Sequence, residues 1–247
     1  DDTAKAIVAD PEKFKAFLDT QSRLDIYSAV NALLIFKQLP EASQLKNFDD
    51  WSKDNVKIQK GAKSISILEP VEYAKKDGTT GISYNVKKVF DISQTDAKRQ
   101  RQPQVHYDDS LLLSALIAKR PVPIEMADSV QNGAVYDYER KTIFVQRGMD
   151  GQDLFRSVSL ALARAEMAQQ ENSTPQADAF KSYCVSYMLC RKYGVDTQGY
   201  DFSRLPDELK NAEPKTIRGE LTDIRDTLQT MTGKMARTLE QSRTAAQ

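Results

Sequence analysis

The sequence predicts an α+β protein: a small helix-plus-antiparallel-sheet unit, a second mixed unit, and a long C-terminal helix. Three observations carry that class. Residues 63–69 and 82–92 alternate apolar and polar side chains on either side of KKDGTTG, the period and punctuation of a β-hairpin. Residues 152–169 and 176–193 are two consecutive apolar-rich stretches of helical length. Ile217, Leu221, Ile224, Leu228, Met231 and Met235 step by four and three, the spacing of one helical seam.

Taken in order, residues 1–39 are helical in pattern. DPEKFKAFLDTQSRL opens with Asp10 as a cap and Pro11 in the first turn, and Ser28 caps a second stretch whose apolar stripe runs through Ala32, Leu33 and Phe36. FDDWSKDNV is a short helix with Phe48, Trp51 and Val56 on one side. The hairpin follows and closes near Thr95. AKRQRQPQVHYDD, residues 97–109, is polar and basic and fits a linker or exposed loop. LLLSALIAKR is a helix; PVPIEMAD, AVYDYER and KTIFVQR are short strands, the last two turning at Glu139–Lys141. After the two long helices, YGVDTQGYDFSRLP is a loop, and the chain is helical from Pro214 onward. The division this suggests is residues 1–96, a linker over 97–109, 110–206, and a helical segment over 207–247. The seam within 217–239 either docks on the body or pairs with another protein or a second copy.

Composition limits the function. With 40% hydrophobic and 28% charged residues the chain is globular in kind, and no apolar run approaches the roughly 20 residues of a membrane span. That leads to the expectation of a cytoplasmic protein without a membrane contact. DDTAKAIVAD lacks an initiator Met, as expected of a processed or excised piece. Thirty-five basic and 35 acidic side chains cancel, so any nucleic-acid surface must be a local patch. The single histidine, His106, and the two cysteines, Cys184 and Cys190, fall short of a zinc site, which takes three or four such ligands. The cysteines, six apart, are expected as reduced core thiols.

Three stretches together resemble the N-terminal domain of the ArdC antirestriction family of plasmids and mobile elements: IYSAVNALLIFKQLPEA, FDDWSKDNVKIQKGAKSISILEPV and YNVKKVFDISQT. The resemblance covers about residues 24–96 and implies a single-stranded-DNA-binding domain followed by a zincin-like metallopeptidase domain. AVYDYERKTIFVQRG is similar to the family's hairpin before the active-site helix, and CVSYMLCRKYGVDTQGYDFSRL to the helix and loop after it. Between them the HExxH frame falls on LALAR. Leu160 and Arg164 stand where the two histidines would be, Ala161 replaces the catalytic Glu, and the third-ligand position falls near Tyr183, with Lys181 two residues earlier.

Leu has no lone pair to give a metal and Arg stays protonated. A zincin needs two histidines at i and i+4 with an intervening Glu that polarises the metal-bound water. The sequence therefore points to a degenerate site, with no cofactor and no peptidase activity. Leu160 is expected to fill volume. Arg164 is expected to be held by Asp178 or by backbone carbonyls, with Glu166 and Tyr183 as further candidates.

Binding is the chemistry that remains. Single strands are held by bases stacked on aromatic faces beside a basic track for the backbone. Tyr27, Trp51 and Tyr84 supply aromatic faces, with Phe90 nearby; Lys57, Lys60, Lys63, Lys87 and Lys88 supply charge; Gly61 in KGAK lets a phosphate approach the backbone. Strand alternation puts Tyr84, Val86 and Lys88 on one face and Lys87 with Asn85 on the other, so at most half of this set can face one groove. KRQRQ, Lys98 to Gln102, would extend the phosphate track. Asn31, on an apolar helix, suits a satisfied structural amide better than a base reader.

Overall fold

A computed structural model describes residues 1–97, 107–171 and 173–245. KRQRQ and His106 lie outside the described residues. Helices α1 (Asp2–Val8), α2 (Pro11–Arg23) and α3 (Ala29–Gln38) lead into strand β1 (Leu45–Lys46) and α4 (Phe48–Lys53). The hairpin β2 (Ile65–Ala74) and β3 (Thr80–Asp91) follows. Then come α5 (Asp109–Ile117), β4 (Ile124–Ala127), β5 (Ala134–Asp137), β6 (Thr142–Gln146), α6 (Gly151–Met167), α7 (Pro175–Tyr193), the short α8 (Asp207–Asn211) and α9 (Pro214–Ala245). The architecture is α+β. The two-residue β1 and the five-residue α8 carry too little pattern to be seen in the sequence.

Local chemistry sets the helix starts. Asp10 accepts from Glu12 N and Lys13 N ahead of Pro11, Ser28 accepts from Asn31 N, Asp150 from Asp153 N and Thr174 from Ala177 N. Each cap satisfies amides that have no intrahelical partner. Helix α7 stops at Gly194, whose φ of 73° is a left-handed conformation that other residues adopt at a cost.

The strands form two three-stranded sheets, ordered β1-β3-β2 and β4-β6-β5. In the second, β6 pairs parallel with β4 and antiparallel with β5, and its Ile143 and Val145 are buried with Ala134 and Tyr136 against the helices. One large core cluster draws Ala4, Phe14, Phe17 and Ala32 from the first three helices together with α5, α6, α7 and α9, so it runs across the stretch where the linker was expected. A smaller cluster of Leu24, Ile35, Ala42, Ile65, Ile67 and Val89 fastens the base of the β2–β3 hairpin to α2 and α3.

The C-terminal seam is spent inside the molecule. Ile217, Leu221, Ile224, Leu228, Met231, Met235 and Leu239 are all buried in the large cluster. Of the two uses expected for 217–239, docking on the body is the one this burial shows. Lys181 reinforces the docking through Asp223 (2.9 Å) and Glu220 (3.7 Å) on α9.

Candidate nucleic-acid interface

Strands β2 and β3 pair from Ile65↔Val89 out to Ala74↔Thr80, far beyond the part that the smaller core covers. The result is a projecting two-stranded ribbon. Its base is buried at Ile65, Ile67 and Val89, whereas Ile82, Tyr84 and Val86 are 60%, 62% and 61% exposed. These three share one face with Lys88, whose Nζ donates to Ser66 Oγ across the ladder (2.6 Å). The turn at the far end carries Lys75 and Lys76, both exposed, and closes through Lys75 N donating to Thr79 O (2.8 Å).

The opposite face is different. Lys87 there donates to Glu69 Oε1 (2.7 Å), a bond that raises its pKa, and Asp50 lies close enough to add to the effect. Tyr27 sits near the same lysine, half-buried, with burial pushing its hydroxyl pKa up against the opposing influence of Lys87. The candidates therefore divide: Tyr84 and Lys88 are on the open face, and Tyr27 and Lys87 are among carboxylates on the other.

Lys57, Lys60 and Lys63 are exposed on the loop that enters β2. The loop is tied to the segment after β3. Lys57 N donates to Asp96 Oδ1 (2.8 Å), Gln59 N to Gln94 O (2.8 Å), and Gln94 Nε2 to Lys63 O (2.8 Å). Gly61 has a φ of 86° and open space around its missing side chain, so glycine is required by the turn and the backbone there is approachable. The FDISQT stretch proves structural: buried Asp91 accepts from the amides of Ser43, Gln44 and Ser93.

Trp51 leaves the candidate surface. It is 2% exposed, with its Nε1 donating to Phe90 O (2.9 Å) and Lys46 Nζ 5.1 Å from the ring centroid, so no base can stack on it. Asn31 is a structural amide, since its side chain donates to Leu68 O and accepts from Leu68 N, both at 2.8 Å. Sequence reasoning missed Ile82 as part of the platform and Lys75 and Lys76 as its distal charge. The signal was available: on the solvent face of a strand, the even residues Ile82, Tyr84 and Val86 have no covering element of matching apolar pattern.

The frame LALAR lies midway along α6, facing α7. Ala161 is buried and Leu160 is half-buried. Leu160 thus fills less of the interior than expected. Arg164 reaches into the α6–α7 cleft and its Nε donates to Ser182 Oγ (3.3 Å); the described residues give it no ion pair, which corrects the expected Asp178 partner. Buried Asp178 instead accepts from the hydroxyls of Tyr138 and Ser173. Burial first and Asp178 second push the Tyr138 hydroxyl pKa up to about 12. Glu166 pairs with Lys234, and the Tyr183 hydroxyl accepts from Asp201 N (2.7 Å).

Deeper between the helices, Ser159 and Ser186 hydroxyls lie 2.6 Å apart and Ser186 and Tyr200 hydroxyls 2.6 Å apart, a neutral network. Cys184 and Cys190 are free and buried. Among the described residues no group of three or more His, Cys, Asp or Glu is placed to hold a metal. The side chains at Leu160, Ala161, Arg164 and Tyr183 do not fit a dication, since they offer one phenol oxygen and a fixed positive charge.

The comparisons with known proteins bear on the fold. No family model matches the chain, and no curated protein does. Among solved structures, antirestriction protein ArdC from plasmid R388 in its Mn(II)-bound form superposes with a TM-score of 0.58 at 11% identity, covering 89% of this chain and 98% of that one. Its metal-free form gives a TM-score of 0.57 at 13% identity, covering 85% of this chain and 86% of that one. The chain has the ArdC fold. Coverage of 89% of this chain and 98% of that one takes in both halves of the fold.

Proposed function

We propose that this chain is a non-catalytic single-stranded-DNA-binding protein of a plasmid, phage or other mobile element, with an antirestriction role. The single observation that carries the reading is the ribbon: an exposed face of Ile82, Tyr84 and Val86 with Lys88, between the tip lysines and the lysine loop. Six residues of strand separate Ile82 from Lys88, about 20 Å, which accommodates several nucleotides of an extended single strand. Unstacked bases lie against the Tyr84 ring and the flanking aliphatic groups, each stacked base contributing roughly 1–3 kcal/mol. Lys88, Lys57, Lys60 and Lys63 follow the phosphates, and Gly61 lets one approach the main chain. The ArdC fold supports the antirestriction assignment and the link to mobile elements.

No peptidase step is assigned to the second half. ArdC has an Mn(II)-bound form, but the LALAR helix supplies no ligand pair and no general base. A folded peptidase scaffold without its metal chemistry then serves as the support from which α2 and α3 hold the ribbon.

The test is fluorescence-anisotropy titration of labelled single-stranded and duplex oligonucleotides at two salt concentrations, with elemental analysis of the same preparation. Single strands should bind more tightly than duplex, with affinity falling as salt rises, and zinc or manganese should be substoichiometric. Equal affinity for duplex would move the reading toward a groove binder. Stoichiometric metal would remove the non-catalytic assignment.

A further inference from the structure

The two edges of the ribbon are treated unequally. The Lys75–Thr79 hydrogen bond places the hydrogen-bonded pairs of the β2–β3 ladder at odd residues, from Tyr73↔Gly81 to Ile65↔Val89. Even residues therefore turn their N–H and C=O groups outward. On the β2 side that edge is closed over its inner half, from Ser66 to Pro70, and beyond it stand only Glu72 and Ala74. The Gln38 side chain takes both main-chain groups of Ser66 (2.9 and 3.0 Å), the Asn31 side chain takes both of Leu68, and Pro70 has no N–H to offer. On the β3 side, β1 covers only Phe90 and Asp91. The outward main-chain groups of Ile82, Tyr84, Val86 and Lys88 have no hydrogen-bond partner among the described residues, and the side chains of the first three are exposed and apolar. A long, unprotected apolar edge is a template for another strand.

We propose that this edge pairs with the same edge of a second copy, antiparallel and centred on Tyr84, giving a closed two-fold dimer. The register argues for a second copy in particular. About Tyr84 the pairing sets Ile82 opposite Val86 and Lys88 opposite Thr80, so apolar meets apolar and no like charges oppose. A centre at Val86 would require Phe90, which β1 already holds, and a centre at Ile82 would set Tyr84 against Thr80. On the far edges Gln38, Asn31 and Pro70 close the stretch from Ser66 to Pro70, and the short remainder carries the charge of Glu72, so assembly stops at two. Both faces remain free, and the exposed platform becomes four strands wide with two Tyr84 rings at its centre.

The experiment is done without DNA, so its outcome does not depend on the binding proposal. Sedimentation over a concentration series should show a monomer–dimer equilibrium for the wild type. Val86→Pro removes an outward N–H that the internal ladder does not use, so it should be monomeric, with the wild-type melting temperature at concentrations where the wild type is itself monomeric. Tyr84→Cys should form a disulfide-linked dimer under a mild oxidant, since hydrogen-bonded cross-strand Cα atoms lie about 5.5 Å apart. Glu72→Cys, on the opposite edge, should not, and the two native cysteines are buried. A wild type that stays monomeric to its solubility limit overturns the proposal, as does a dimer that survives Val86→Pro without Tyr84→Cys cross-linking.

Discussion

The two sheets make an instructive pair. Each has three strands and carries apolar side chains, yet they put them to different uses. In β5 and β6, Tyr136, Ile143 and Val145 are buried under α6 and the rest of the large core. In β2 and β3, apolar side chains are buried only where α2 and α3 reach, and Ile82, Tyr84 and Val86 stand in solvent. An apolar strand is thus core only when another element is available to cover it. Where none is, the same residues stand exposed as a contiguous apolar surface.

That contrast is breakable by mutation. The largest effect is expected in the covered sheet: Ile143→Ala empties a fully buried site and should lower unfolding free energy by about 2–5 kcal/mol in a denaturant titration. At the junction, Asn31→Ala strips both hydrogen bonds from Leu68 and should cost about 1–2 kcal/mol, and hydrogen exchange should report the loss first in the ribbon. A loss shared evenly by both sheets would show that the ribbon is no separate unit.

Between the helices, burial raises the Cys190 thiol from 9.0 to about 11. A raised acid pKa favours the neutral form in the fold, so this contribution is complete below pH about 9 and is lost as pH climbs through about 11. Cys190→Ala should therefore show a shallower fall in melting temperature across that window than the wild type. The smallest stability effect belongs to the open face. Tyr84→Ala should stay within about 0.5 kcal/mol of the wild type while weakening single-strand binding, a separation that a core tyrosine could not produce.

The hairpin and the seam of α9 were legible because period-2 and period-3.6 patterns survive in any sequence that buries one face; the outer half of β2, residues 70–74, was not, because no buried face marks it. That Leu160 and Arg164 lack metal-donor chemistry follows from residue type alone, whatever the fold. What the sequence did not disclose depended on which neighbour arrived. Trp51 and Tyr84 are both aromatic residues of the first half, but only the first is buried, with its indole N–H on Phe90 O. Arg164 was expected on Asp178, yet Ser173 and Tyr138 occupy that carboxylate from outside the two helices. Lys87 and Lys88 are adjacent in sequence, and Glu69 across the ladder separates their roles.

Whether the ribbon and its lysine loop hold a single strand is decided by the salt dependence of binding. Replacing Lys57, Lys60 and Lys63 together by Ala should reduce the slope of log affinity against log salt by roughly 2, at about 0.7 for each lost phosphate contact on a single strand. The melting temperature should stay unchanged, because all three side chains are exposed. A variant with the wild-type slope and the wild-type affinity would contradict the claim and place the DNA elsewhere on the molecule.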